Sequence, residues 1–299
     1  TGQVIFYDDT TEIDEPLEGE PFYGQDAQYQ GNQFDYTSIV YDNGTGLTWT
    51  QSVDINKDGE ANVDDKLTYS EALAYVDTMN EQNYGGYNDW RVPSMKQLYS
   101  LMSFEGVDPP GPQTEESTAI PFIHTDYFEN GFGDTDAGER HIDGQVWSSN
   151  AYGGTVFGGL EGTFGLNLVD GRIKCYPTNS PMREHVNYVL FVRGNVEYGT
   201  NDFVDNNDGT ISDNATGLMW TQDDSGEGMN WEEALAWAEE ANANNYLGYS
   251  DWRLPNAKEM QSILDYSKAP DTGSPAIDPI FSITEITNEN GDVDYPWYW

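Results

Sequence analysis

The sequence predicts an α+β protein made of two tandem copies of one domain, each with two short helices and antiparallel strands, the second copy incomplete. Three observations predict this: an internal repeat, four helix starts that share one capping pattern, and aromatic-rich alternating segments punctuated by glycine. Thr45-Gly46-Leu47-Thr48-Trp49-Thr50-Gln51 returns as Thr216-Gly217-Leu218-Met219-Trp220-Thr221-Gln222. Tyr69-Ser70-Glu71-Ala72-Leu73-Ala74 returns as Trp231-Glu232-Glu233-Ala234-Leu235-Ala236. Gly86-Tyr87-Asn88-Asp89-Trp90-Arg91-Val92-Pro93-Ser94 returns as Gly248-Tyr249-Ser250-Asp251-Trp252-Arg253-Leu254-Pro255-Asn256. Order, spacing and residue type agree together, which marks a duplicated unit. The division that follows is an extended leader at 1–32, a first domain at 33–197 and a second at 198–299.

Each element has its own signal. Asp208-Gly209, between Phe203-Val204 and Thr210-Ile211, reads as a two-residue hairpin turn. The first helix of each copy opens on a capping box, Thr68 with Glu71 and Asn230 with Glu233. Its apolar face is expected at Ala72, Leu73, Val76 and Met79, and at Ala234, Leu235, Ala238 and Ala241. A second helix follows the proline, capped by Ser94 with Gln97 and by Asn256 with Glu259. Leu98, Leu101 and Met102 supply its buried stripe, matched by Met260, Ile263 and Leu264. Val146–Ser149, Phe164–Val169, Arg172–Tyr176 and Tyr188–Val192 then alternate as strands that close the first domain. The second copy ends near the counterpart of Gln145-Val146-Trp147, so its equivalents of those strands are missing from the sequence: either the natural chain continues beyond Trp299, or another chain supplies them, since a half-built sheet invites strand addition.

Composition narrows the partners. Aromatic residues make up 14% of the chain, including 20 Tyr and 9 Trp, enough to fill cores and to offer stacking faces to ligands. The net charge of −41 repels nucleic acid phosphates and anionic membranes, and it attracts divalent cations. No apolar run approaches the roughly 18 residues of a membrane span, so membrane insertion is not expected. With Cys175 as the one cysteine, neither an intrachain disulfide nor a Cys-based zinc site can form. The start at Thr1 and the acidity point to an extracellular or cell-surface location after signal-peptide removal.

The spacing between the copies locates the best chemical motif. It is 171 residues at the Thr-Gly-Leu element (45 to 216) but 162 at Asp-Trp-Arg (89 to 251), so the first copy carries an insertion between the two. The nine extra residues fall in the segment Asp54-Ile55-Asn56-Lys57-Asp58-Gly59-Glu60-Ala61-Asn62-Val63-Asp64-Asp65. Oxygen-bearing side chains fall at loop positions 1, 3, 5, 9 and 12 with Gly at 6, which is the calcium-loop spacing. The closing Asp65, where EF-hands have Glu, resembles the dockerin form of the loop. Asp54, Asn56, Asp58 and Asp65 are the expected side-chain ligands, Glu60 a backbone-carbonyl ligand, and Asn62 a direct or water-mediated one. Calcium is therefore the expected cofactor, in a structural role.

Other motifs point to structure. Asp89-Trp90-Arg91 and Asp251-Trp252-Arg253 are expected to bury Trp and to satisfy Asp and Arg with nearby hydrogen bonds. Asn43-Gly44-Thr45 and Asn214-Ala215-Thr216 fit the N-glycosylation sequon but coincide with the repeat's turn. His124, His141 and His185 show no metal-ligand spacing, and no pair of acids is singled out for catalysis.

The ordered set Asn43-Gly44-Thr45-Gly46-Leu47-Thr48-Trp49, the capped Glu-Ala-Leu helix, Asp-Trp-Arg-Val-Pro-Ser, Val146-Trp147-Ser148-Ser149 and Phe191-Val192-Arg193-Gly194 resembles the Lcl C-terminal domain family. Asp205-Asn206-Asn207-Asp208-Gly209-Thr210-Ile211-Ser212-Asp213 and the leader Gly19–Tyr29 also resemble it. The resemblance implies bacterial, secreted or surface-attached proteins with a fold akin to C-type lectins and the formylglycine-generating enzyme. Adhesin members of the family bind sulfated glycans, whereas the charge here should repel such polymers unless calcium bridges them. The scaffold's oxygenase relatives need a cysteine pair, which one cysteine does not supply.

The expected function is a non-catalytic, calcium-stabilised binding protein that recognises a glycan or surface polymer, or mediates adhesion. The alternative is a self-assembling extracellular subunit, in a fibre or surface layer, joined through the incomplete second domain. An enzyme on the same scaffold ranks last.

Overall fold

The computed structural model describes residues 6–7, 11–14, 29–31, 39–108, 119–181, 184–269 and 273–299. The chain forms two compact units, Thr1–Tyr198 and Gly199–Trp299. Both combine short helices with small antiparallel sheets, so the protein is α+β. Most of the Gly19–Tyr29 motif lies outside the described residues.

Unit 1 opens with a two-stranded ribbon, β1 (Phe6–Tyr7) against β2 (Glu12–Ile13). Next come β3 (Tyr29–Gly31), β4 (Ile39–Asp42) and β5 (Leu47–Thr50), then α1 (Tyr69–Glu81) and α2 (Met95–Ser100). A three-stranded sheet follows in the order β6 (Gln145–Ala151), β7 (Gly162–Asn167), β8 (Ile173–Pro177). The last strand, β9 (Val192–Gly194), returns to complete a sheet ordered β3-β4-β5-β9. The leader is thus not simply extended: its β1 and β2 pair with each other, and β3 joins the first domain's sheet.

The β4–β5 hairpin shows why the repeat carries its Asp-x-x-Thr-Gly turn. Buried Asp42 accepts from the Gly44 backbone N–H at 2.9 Å and from the Thr45 hydroxyl at 2.8 Å. Gly46 follows with φ 69°, a conformation that favours glycine. Unit 2 repeats the turn with Asp213, Ala215, Thr216 and Gly217. Both sequons lie in this turn.

All four capping boxes form. In α1 the Thr68 hydroxyl accepts from Glu71 N–H at 3.2 Å, and the Glu71 carboxylate accepts from Thr68 N–H at 2.9 Å. The buried face of α1 is narrower than the sequence suggested. Ala72 and Met79 are buried and Val76 is half-buried, but Leu73, one residue and about 100° around from Ala72, is 47% exposed. Leu98 of α2 enters the core, as do Leu101 and Met102 just after it.

Two tryptophans organise that core through their ring N–H groups. Trp147 donates to Leu67 O at 2.8 Å and meets Tyr69 edge-on, with centroids 5.8 Å apart. Trp90 donates to Tyr84 O at 2.9 Å, while the Asn80 side chain grips its backbone at 2.8 and 3.0 Å. The expected strand Tyr188–Val192 becomes regular only from Val192. Tyr188 O accepts from Trp147 N–H at 3.0 Å and Phe191 O from Thr50 N–H at 2.9 Å, so the segment leaves β6 to reach β5 and joins the two sheets. No single ladder could satisfy both ends.

One glycine in this unit marks a point of close backbone approach. A Cβ on Gly133 would lie 1.8 Å from Arg140 O, a backbone atom that cannot swing away. Gly133→Ala is expected to cost about 2 kcal/mol or more, read as a lower urea midpoint for unit 1.

Unit 2 holds β10 (Phe203–Asp205), β11 (Thr210–Asp213) and β12 (Leu218–Thr221), with α3 (Trp231–Ala243) and α4 (Ala257–Ser262). A ribbon of β13 (Ile286–Thr287) and β14 (Val293–Asp294) follows. Thr210↔Thr221 and Asp213↔Leu218 repeat the register of Ile39↔Thr50 and Asp42↔Leu47. The turn before β11 is longer than two residues. Asn206 N–H pairs with Thr210 O, and Asn207 and Gly209 take positive φ, because the Asp205 and Asp208 side chains hold backbone N–H groups within the turn.

The core of unit 2 is thinner. Ile211, Ala234, Ala238, Ala241, Ile263 and Phe281 are buried. Leu218, Trp220, Trp252, Leu254 and Met260 are only half-buried, although their counterparts Leu47, Trp49, Trp90, Val92 and Leu98 are buried. Among the described residues, no helix is long and apolar enough to cross a membrane.

Candidate functional site

Residues 54–65 form a compact loop between β5 and α1, held by its own acidic side chains. Asp54 accepts from Lys57 N–H at 2.6 Å and from Gly59 N–H at 2.9 Å, one oxygen for each. Asn56 accepts from Asp58 N–H at 2.9 Å, and Asp58 from Glu60 N–H at 3.0 Å. Lys57 and Gly59 have φ of 64° and 93°, which turns the chain twice within three residues. Asn62 caps the short 3-10 helix Val63–Asp65, accepting from Asp64 N–H at 2.8 Å. Asp65 reaches back across the loop. One of its oxygens accepts from Ile55 and Asn56 N–H, the other from Asn62 N–H.

The electrostatics are unusual for so acidic a chain. Asp65 is fully buried and Asp54 nearly so. Burial lifts the Asp65 carboxyl above its ordinary range. The Asn62 and Asn56 N–H groups pull it down, and the nearby Asp54 carboxylate raises it again. Among the described residues no lysine or arginine pairs with Asp54, Asp58 or Asp65. Lys66 is adjacent in sequence but turns away. Its ammonium bonds Glu139 at 2.5 Å and Asp143 O at 2.7 Å, and lies 4.7 Å from the centre of the Tyr188 ring. Two buried carboxylates thus face one turn with no lysine or arginine among the described residues paired to offset them.

Calcium fits this donor set in kind. Every candidate donor at Asp54, Asn56, Asp58, Glu60, Asn62 and Asp65 is an oxygen, as a hard divalent cation requires. The carboxylates are spent on backbone N–H groups here, and among the described residues no three His, Cys, Asp or Glu side chains gather as a metal cluster. The buried Lys66–Glu139 pair that anchors the loop's far end was not read from the sequence. Its partners stand 73 residues apart, and only a fold brings them together.

The two Asp-Trp-Arg elements differ in what they hold. In unit 1 the Asp89 carboxylate accepts from Arg193 Nε at 2.6 Å and from Gly194 N–H at 3.4 Å, and Arg193 holds its carboxyl below the usual range. Arg91 donates to Gly194 O at 3.2 Å, and Arg193 stacks 3.9 Å from the centre of the Tyr87 ring. These residues therefore fasten β9. In unit 2 the Trp252 clamp is kept, with Asn242 at 2.6 and 2.7 Å and Tyr246 O at 2.9 Å. Arg253 instead folds onto Glu259 at 2.5 and 2.7 Å.

The three histidines lie against different rings: His124 on Tyr127, His141 on Phe132 and His185 on Tyr176. Cys175 is partly buried on β8, and burial pushes its thiol up to about 11. At pH 8 its thiolate is then scarce, and it should react with a disulfide reagent on the order of a hundredfold more slowly than a free thiol. Reaction at the free-thiol rate in the native protein would contradict that placement.

No curated protein and no solved structure matches the chain. The profile of the Lcl C-terminal domain matches residues 38–193 and again 209–299, which together span most of the sequence. The chain therefore belongs to the Lcl C-terminal domain family, which it carries in two copies.

Proposed function

We propose that this chain is a calcium-stabilised, non-catalytic binding module of an extracellular or surface-attached protein, with glycans as the ligand class. The observation that carries the reading is the pair of buried carboxylates Asp54 and Asp65 facing one turn with no lysine or arginine among the described residues paired to them. A bound calcium offsets their repulsion and rigidifies the entry to α1. Asp54, Asn56, Asp58, Asn62 and Asp65 would hold it by side chains and Glu60 by its carbonyl. Tyr41 and Phe157, at 42% and 73% exposed, offer stacking faces of the kind sugars use. A C-type-lectin-like arrangement, implied by the family, is part of the same reading.

The test is calorimetric titration of the full chain with calcium, followed by a glycan screen with calcium and with chelator. One ion per chain and calcium-dependent glycan capture are expected. No calcium binding at millimolar concentration would overturn the calcium part, and no capture across neutral and acidic glycans would overturn the ligand class. Self-assembly is the second reading, favoured by β12 being an edge strand among the described residues.

A further inference from the structure

We propose that the surface of unit 1 between Tyr41 and Tyr87 is a binding site for a neutral pyranose sugar, with Asp89 and Arg193 holding two neighbouring hydroxyls. The inference rests on the glycan reading above and deepens it, by assigning the place of binding and the charge class of the ligand.

The sheet brings these residues together from distant parts of the chain. Tyr41 of β4 lies opposite Thr48 of β5, and Thr48 lies opposite Arg193 of β9. Residues paired in this way share one face, and two strand spacings set Tyr41 about 10 Å from Arg193. Arg193 Nη1 donates to the Thr48 hydroxyl at 3.4 Å, along that same row. Beyond Arg193 stands Tyr87, whose ring centre is 3.9 Å from the guanidinium carbon. Asp89 accepts from Arg193 Nε at 2.6 Å. The guanidinium is thus flanked by a tyrosine on either side and fixed in place, so it loses little freedom when a ligand arrives.

The cluster keeps polar capacity that the fold does not use. Among the described residues, the hydroxyls of Tyr41 and Tyr87 and the Nη2 of Arg193 make no hydrogen bond. The second Asp89 oxygen has only a long contact, 3.4 Å from Gly194 N–H. Tyr41, Tyr87 and the Asp89 side chain are 42%, 38% and 49% exposed. A donor beside an acceptor matches two neighbouring sugar hydroxyls, because each hydroxyl can both give and accept a hydrogen bond. The tyrosine rings take the C–H face of the same sugar. Charge then selects among sugars. Arg193 already has Asp89 as its counter-ion, and Arg91 turns its own fork to Gly194 O and Asn195 O at 3.2 and 3.5 Å. An acidic sugar would meet the Asp89 carboxylate and the field of a chain at −41, whereas a neutral one is not repelled.

The probes are the methyl glycosides of glucose, galactose and mannose, titrated singly into the full chain with calcium present and followed by saturation-transfer NMR. At least one should bind saturably with a dissociation constant on the order of millimolar, unchanged between about 50 and 500 mM salt. Tyr41→Thr removes a ring without touching the bonds that fasten β9, and it should weaken binding about fivefold or more. Arg193→Lys keeps the charge beside Asp89 but removes the fork, and it should weaken binding to a similar degree. No binding of any of the three up to about 100 mM would overturn the proposal. So would binding that survives both variants at full strength, or a methyl glucuronide that binds more tightly than the methyl glucoside. If the glycan screen captures acidic glycans alone, this inference fails while the glycan reading stands; if it captures none, both fail.

Discussion

Replacing Asp65 with alanine is expected to destabilise unit 1 by about 3–5 kcal/mol. The carboxylate is fully buried and accepts from three backbone N–H groups, at Ile55, Asn56 and Asn62. Alanine leaves three donors without an acceptor in a turn that has no room to rearrange, because Lys57 and Gly59 already hold left-handed conformations. Each orphaned donor costs about 1–3 kcal/mol. Asp65→Asn keeps one acceptor oxygen and removes a buried charge, so it should cost less, about 1–2 kcal/mol without calcium. Urea unfolding of both variants, fitted to the unit 1 transition, reads the difference. Equal losses for the two would mean that the charge, not the hydrogen bonding, organises the loop.

Trp90→Ala should cost about 3–5 kcal/mol, whereas Trp252→Ala in the second copy should cost about 1–2. The two residues share a motif, a ring N–H bond to a Tyr carbonyl and an asparagine clamp. They differ in cover. Trp90 is 2% exposed in one cluster with Phe191 and Val189, and Trp252 is half-buried, with no counterpart of that segment among the described residues of unit 2. The comparison isolates what the closing segment contributes to the core. Because the chain has two units, each loss has to be read from its own transition. Equal losses would mean that unit 2 covers its tryptophan by some other route.

Much of this architecture could be read from the residues alone. The four capping boxes form where Thr68, Asn230, Ser94 and Asn256 placed them, since a cap is a local arrangement of one side chain and the N–H three residues on. The repeat identified the family because it sets order and spacing over most of the chain. Long-range relations were not legible. Nothing near Asp89 announces Arg193, 104 residues away, nor does Lys66 announce Glu139. The strand expected over Tyr188–Val192 was misjudged for a related reason: its alternation is real, but its hydrogen bonds go first to β6 and then to β5. Leu73 shows the limit of periodicity, since an apolar residue at the margin of a helical face is buried only if the neighbouring layer extends that far. In the candidate site, the acidic segment was legible from its spacing, while the bonds of Asp54 and Asp65 to the loop's own N–H groups became visible only in three dimensions.

If the loop 54–65 is a calcium loop, as proposed, unit 1 should respond to the ion and unit 2, whose copy lacks the insertion, should not. Differential scanning calorimetry of the full chain, with millimolar calcium and then with chelator, tests it most directly. The transition of unit 1 should rise with calcium by an amount set by mass action, about 2.7 kcal/mol at a hundred times the dissociation constant, and that of unit 2 should stay where it is. Two transitions that both ignore calcium, or that both move with it, would contradict the claim.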